Sequence, residues 1–138
     1  MRRAVAASIG ALALVVGPVA PAGADVEAHP EWGSVSTKSG VLKKGCRNYQ
    51  FSYAVTPPED GYWDLNVNVV GPSGRTLFVG YVSETEGDPR SGTASFRLCR
   101  SETRPGRHKL KTVVTVMESN EYVQGRLPTV RFRLDKRR

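Results

Sequence analysis

Through most of this chain, apolar residues fall on every second position. Tyr49, Phe51, Tyr53 and Val55 alternate with Asn48, Gln50, Ser52 and Ala54, and Trp63, Leu65, Val67 and Val69 alternate with Asp64, Asn66 and Asn68. An extended chain sends successive side chains to opposite faces, so each run offers one face to a core and one to water. Arg75 to Val82, Thr93 to Leu98, Arg107 to Met117 and Thr129 to Leu134 repeat the pattern, and Val35 to Leu42 supplies a weaker first strand interrupted near Gly40. No window carries a capped helical pattern of useful length.

The punctuation between the runs is turn chemistry: Pro57-Pro58-Glu-Asp-Gly61, Gly71-Pro72-Ser73-Gly74, Gly87-Asp88-Pro89 and Arg104-Pro105-Gly106. About seven short strands at this spacing point to an all-β chain folded as a single antiparallel β-sandwich of immunoglobulin-like type, with a small barrel as the alternative. In that reading Trp63 fills the core from the third strand.

Cys46 falls just before the second strand and Cys99 just after the fifth. These strands, B and E of the expected topology, are antiparallel neighbours, so the start of one meets the end of the other. Both cysteines also break the apolar parity of their strands, which places a Cys46–Cys99 disulfide at the rim rather than through the core. Antibody domains differ, because their bridge joins strands B and F around a buried Trp. Closing a 53-residue loop stabilises the fold by about 4 kcal/mol on a chain-entropy estimate.

Met1-Arg2-Arg3 is basic, Ala4 to Gly17 carries no charge, and the segment ends in the small residues Ala22 and Ala24. That order is a secretory signal peptide with a cleavable end, and export to an oxidising compartment favours the disulfide. The expected organisation is 1–24 signal peptide, 25–33 flexible lead-in, 34–134 sandwich and 135–138 basic tail. Removing 24 of the 138 residues leaves 114, and the formal charge drops from +7 to +5 as two arginines depart. Three of those charges are Lys136, Arg137 and Arg138, so the folded body carries only about +2, ordinary for a soluble domain. The expected location is extracellular or cell-wall associated, with no stable membrane insertion after cleavage.

Residues suited to catalysis are sparse. His29 and His108 are the only bases of the usual kind, and no serine sits in a Gly-x-Ser-x-Gly context. The carboxylate groups Glu59, Asp60, Asp64 and Glu84, Glu86, Asp88 lie in or beside turns, where acids are expected anyway. Two cysteines and two histidines are too few for a multi-ligand zinc site, and the Glu84–Asp88 loop lacks the spacing of a dedicated calcium loop. No catalytic residue, metal or cofactor is expected.

Two segments suggest binding. Arg97, Arg100, Arg104, Arg107, Lys109 and Lys111 form the richest basic stretch; as strand–turn–strand, Arg97 shares a solvent face with Lys109 and Lys111, a patch for phosphate- or carboxylate-bearing wall polymers. Tyr122, Arg126 and Leu127 lie in a connection between the last two strands, near a sandwich end where such folds often bind. Nucleic acid is a poor fit, because export separates the protein from it and no recognition motif accompanies the charge.

The blocks Leu42–Pro58, Gly92–Arg100 and Thr103–Gly106, with Leu127-Pro128 and Arg131-Phe-Arg-Leu134, resemble a group of small exported actinobacterial proteins of uncharacterised function. The resemblance spans most of the mature chain; it implies an exported, cysteine-stapled immunoglobulin-like β-sandwich and brings no catalytic residues. Neocarzinostatin-like chromophore carriers and subtilisin-inhibitor-like proteins are similar in size, but both need two disulfides and the carriers are acidic. This chain has material for one bridge and a basic balance.

The reading that unites these features is a secreted, non-enzymatic binding or structural module acting on a cell-wall polymer or extracellular protein. A protease inhibitor using the Glu84–Ser91 or Tyr122–Pro128 loop is one alternative, and a hydrolase with an unfamiliar site is another. The staple is checked first: alkylating the unreduced secreted protein is expected to leave its intact mass unchanged, and a mass gain refutes the bridge.

Overall fold

A computed structural model describes residues 25–58 and 61–137; the expected signal peptide at 1–24 lies outside the described residues. The strands are β1 (Gly33–Thr37), β2 (Gly40–Leu42), β3 (Cys46–Val55), β4 (Tyr62–Val70), β5 (Thr76–Ser83), β6 (Ser91–Cys99), β7 (Gly106–Glu118), β8 (Glu121–Arg126) and β9 (Val130–Lys136). They form two sheets. The smaller runs β1-β3-β6, and the larger runs β2-β9-β7-β4-β5 with β8 also on β7.

The inward positions of both sheets build one core. Phe51, Tyr53 and Val55 of β3 and Phe96 and Leu98 of β6 meet Trp63, Leu65, Val67 and Val69 of β4, Leu110, Val114 and Val116 of β7, and Phe132 and Leu134 of β9. Phe96 is the hub: its ring lies 5.7 Å from Phe132 and 6.4 Å from Phe78 of the larger sheet, and 5.8 Å and 6.2 Å from Tyr49 and Phe51 of its own. This arrangement of two sheets around shared side chains fits a sandwich. Trp63, expected as a core filler, is buried.

Cys46 and Cys99 sit directly opposite each other at the joined ends of β3 and β6, 3.9 Å apart at Cα, and form the disulfide. Both are half-buried and lie on the outer side of the smaller sheet, opposite in parity to Phe51 and Leu98. The staple thus locks the register of the β3–β6 pair at its rim. Beyond Asn48, Gln50 and Arg97, that outer face carries hydroxyls: Ser36, Ser52 and Thr93 lie in one cross-strand row, and Ser34 and Ser91 flank Ala54 in another.

The structure departs from the expected strands in three places. The first strand is two: β1 pairs antiparallel with β3, then the chain crosses at Lys38-Ser39 and β2 pairs parallel with β9 in the other sheet. The Tyr122–Arg126 connection is strand β8, in a tight hairpin with β7 through Ser119 and Asn120, both at positive φ (47° and 67°). β8 and β9 divide one edge of β7 between them, pairing with Val113–Glu118 and Gly106–Leu110 respectively.

The third departure is the lead-in, expected to be flexible. It is docked. Arg126 N–H donates to Glu27 O at 2.8 Å and His29 N–H to Arg126 O at 2.9 Å, so the segment covers the free edge of β8. Pro30–Trp32 then makes one 3-10 turn that buries Trp32, with the His29 ring stacked on its indole at 4.2 Å. A side chain at Gly125 would collide with the Trp32 ring and lie 2.9 Å from the His29 Cβ. Gly125→Ala is therefore expected to cost about 1–3 kcal/mol, the range for overpacking, in a urea denaturation series. Unchanged stability would mean that Trp32 does not pack there.

Candidate functional site

The histidines are built into the scaffold. His108 points into the core with no exposed surface; its Nδ1 lies 3.0 Å from the Gly106 carbonyl, its Nε2 3.0 Å from the Thr103 hydroxyl, and its ring stacks on Phe132 at 5.5 Å. A neutral ring donating from Nδ1 and accepting at Nε2 satisfies both partners. Burial pushes its pKa below the ordinary value, outweighing the Gly106 carbonyl, which favours the protonated form. A general base must reach substrate, and this ring is sealed from it. His29, half-buried, lies 2.8 Å from Glu31, and that hydrogen bond holds the Glu31 carboxyl below its usual range.

The acids of the Glu84–Asp88 segment also serve the local fold. Ser83 caps a 3-10 turn over Glu84–Glu86, and Gly87 closes it at φ 83°. Asp88 accepts from Ser83 N–H at 3.0 Å, and the Ser83 hydroxyl donates to Asp64. Glu86 accepts from the Tyr81 hydroxyl at 3.3 Å, and its charge raises the Tyr81 pKa. No three His, Cys, Asp or Glu residues are grouped to hold a metal among the described residues. A concavity of about 960 Å³ lies where the chain crosses from β1 to β2; hydroxyls, amides and the lysines Lys38 and Lys43 line it together with Val41, Phe51 and Leu134, with no acid, histidine or cysteine.

The six-residue basic patch does not form as expected. β6 and β7 belong to different sheets, so Arg97 on the outer face of β6 looks away from Lys109 and Lys111 on the outer face of β7. The error lies in treating consecutive strands as hairpin neighbours; here the chain crosses between sheets through the turn that holds Arg100 and Arg104. The loop expected to bind is also revised. Tyr122 and Arg126 sit on β8 and are exposed, whereas Leu127 is buried in the core and its N–H donates to Thr112 O at 3.1 Å.

A different cationic surface replaces the patch. Arg107, Lys109 and Lys111 occupy successive outward positions of β7, and β9 adds Arg133 directly opposite Arg107 and Arg131 directly opposite Lys109. All five are exposed. Like charges facing each other across a strand pair are unfavourable. Among the described residues only Arg133 has an acid partner, with Nε 2.7 Å from Asp135 Oδ1. On the far side Lys111 faces Asn68 of β4, and Arg126 extends the surface along β8. Arg131 and Arg133 stand outside the expected patch, although Arg131-Phe-Arg-Leu134 shows arginine at both outward positions.

No family model matches the chain, and no curated protein matches it. Among the described residues no helix is long and apolar enough to cross a membrane.

The buried histidine sets a pH dependence. Its folded pKa is lowered, so the neutral form is favoured on folding; stability is complete above the ordinary value of 6.5 and is lost as pH falls from there toward the folded pKa. The thermal midpoint is expected to drop between about pH 7.5 and pH 5, and His108→Gln should flatten that drop while lowering the neutral-pH midpoint. An equally steep drop in the variant would contradict it.

Proposed function

We propose that the chain is an exported, non-enzymatic immunoglobulin-like module that binds an anionic ligand at or outside the cell wall. The sheet orders support the fold reading: β3 and β6 take the places of strands B and E, β4 and β7 those of C and F, and β8 with β9 together that of G. The basic, apolar, small-residue order of 1–24 and the disulfide support export, as does the resemblance to small exported actinobacterial proteins. Ligand recognition falls to the scaffold's surface rather than to a catalytic pocket, because His108, Asp64, Glu86 and Asp88 are occupied with structure.

The observation that carries the reading is the pairing of Arg107 with Arg133 and of Lys109 with Arg131 on one open face. Repulsion across two adjacent rungs weakens the free domain and is relieved by a bound anion. Purified wall material is expected to pellet the mature domain at low salt and release it at high salt. Absence from the low-salt pellet refutes wall binding.

A further inference from the structure

We infer that the ligand of this face is a linear polyanion lying along the β7–β9 seam, with one negative charge per repeat of about 7 Å; this rests on the binding-module reading above. Outward residues on a strand recur every two positions, about 6.8 Å, so Arg107, Lys109 and Lys111 form a rank of charges at that spacing. Arg133 and Arg131 form a second rank beside the first two. The two ranks leave a seam in which a negative group at either of the first two rungs meets cations from both sides, while one at Lys111 meets a single cation. Asn68, opposite Lys111, adds an uncharged hydrogen-bonding side chain at the end of the row.

The shape of the face favours an extended ligand. None of the four cavities described on the molecule is lined by any of these five cations. A small anion gains affinity from enclosure, which an open sheet does not provide. A chain gains it by repetition, each contact releasing counterions. Phosphodiester-linked polyols and polyuronates share this chemistry, one charge per repeating unit, and the experiment separates them.

The test titrates the mature domain with a phosphodiester polyol and with a polyuronate, each as a length series, and with anionic phospholipid vesicles. Affinity for one of the polymers is expected to rise steeply until about three repeats are present and then level off. It should also fall by roughly twentyfold between 50 and 200 mM salt, as the neutralisation of about three ligand charges requires. The double variant Lys109→Gln/Arg131→Gln should lose at least about tenfold and flatten the salt slope by roughly 0.7, the share of one ligand charge. It should also melt higher than the parent, because a repelling pair has gone; a residue needed only for structure would melt lower. Arg97→Gln, on the opposite outer face, should bind as the parent does.

A variant that pellets with wall material as well as the parent overturns the seam and leaves the binding module standing. A parent that fails to pellet removes both. Length-independent affinity, or vesicles bound more tightly than either polymer, overturns the polyanion assignment.

Discussion

The ring of Phe96 joins what the backbone keeps apart. Hydrogen bonds run within each sheet, so only side chains hold the sheets to each other, and Phe96 touches aromatic partners in both. Fully burying such a ring contributes about 2–3 kcal/mol, and its stacked and tilted aromatic neighbours add to it. Its position depends on β6 being in register with β3, and the Cys46–Cys99 bridge sits three residues further along the same strand. The staple therefore acts on the core indirectly: by fixing one strand pair at its rim, it fixes where the hub enters the space between the sheets.

The faces of the strands were legible in the sequence; their neighbours were not. Period-two alternation marks which side of β4 or β7 is buried, because burial is a property of each strand alone. Pairing depends on where the chain goes next. The Arg97–Lys111 patch failed on that point, since a crossing between sheets and a hairpin both read as a turn after Cys99. The cysteines succeeded because a covalent bond demands proximity, so they reported a neighbour relationship that alternation cannot.

Two other misses trace to contacts between distant segments and to an unmarked turn. β8 lacks alternation because Gly125 stands at an inward position, where Trp32 from the N-terminal segment fills the space a side chain would take. Its hairpin turn is also disguised: Ser119-Asn120 adopts positive φ at both residues without the glycine that usually announces such a turn. The lead-in looked loose because one Trp among polar residues has no periodicity; its order comes from a groove made by residues almost a hundred positions later. Arg131 and Arg133 were visible as outward residues, but their meaning appears only when β9 is laid against β7.

The two outer faces of the molecule are chemically unlike. One carries the cations of β7 and β9, the other the hydroxyls of Ser34, Ser36, Ser52, Ser91 and Thr93. The sheets thus separate a strongly cationic side from one whose outward strand positions carry Arg97 alone as a charge, and the molecule has an electrical front and back. Near any negative surface it will turn before it touches, presenting β7 and β9 and leaving a hydroxyl-covered back toward the water. A layer of such molecules would mask the charge beneath it with a weakly charged, well-hydrated coat.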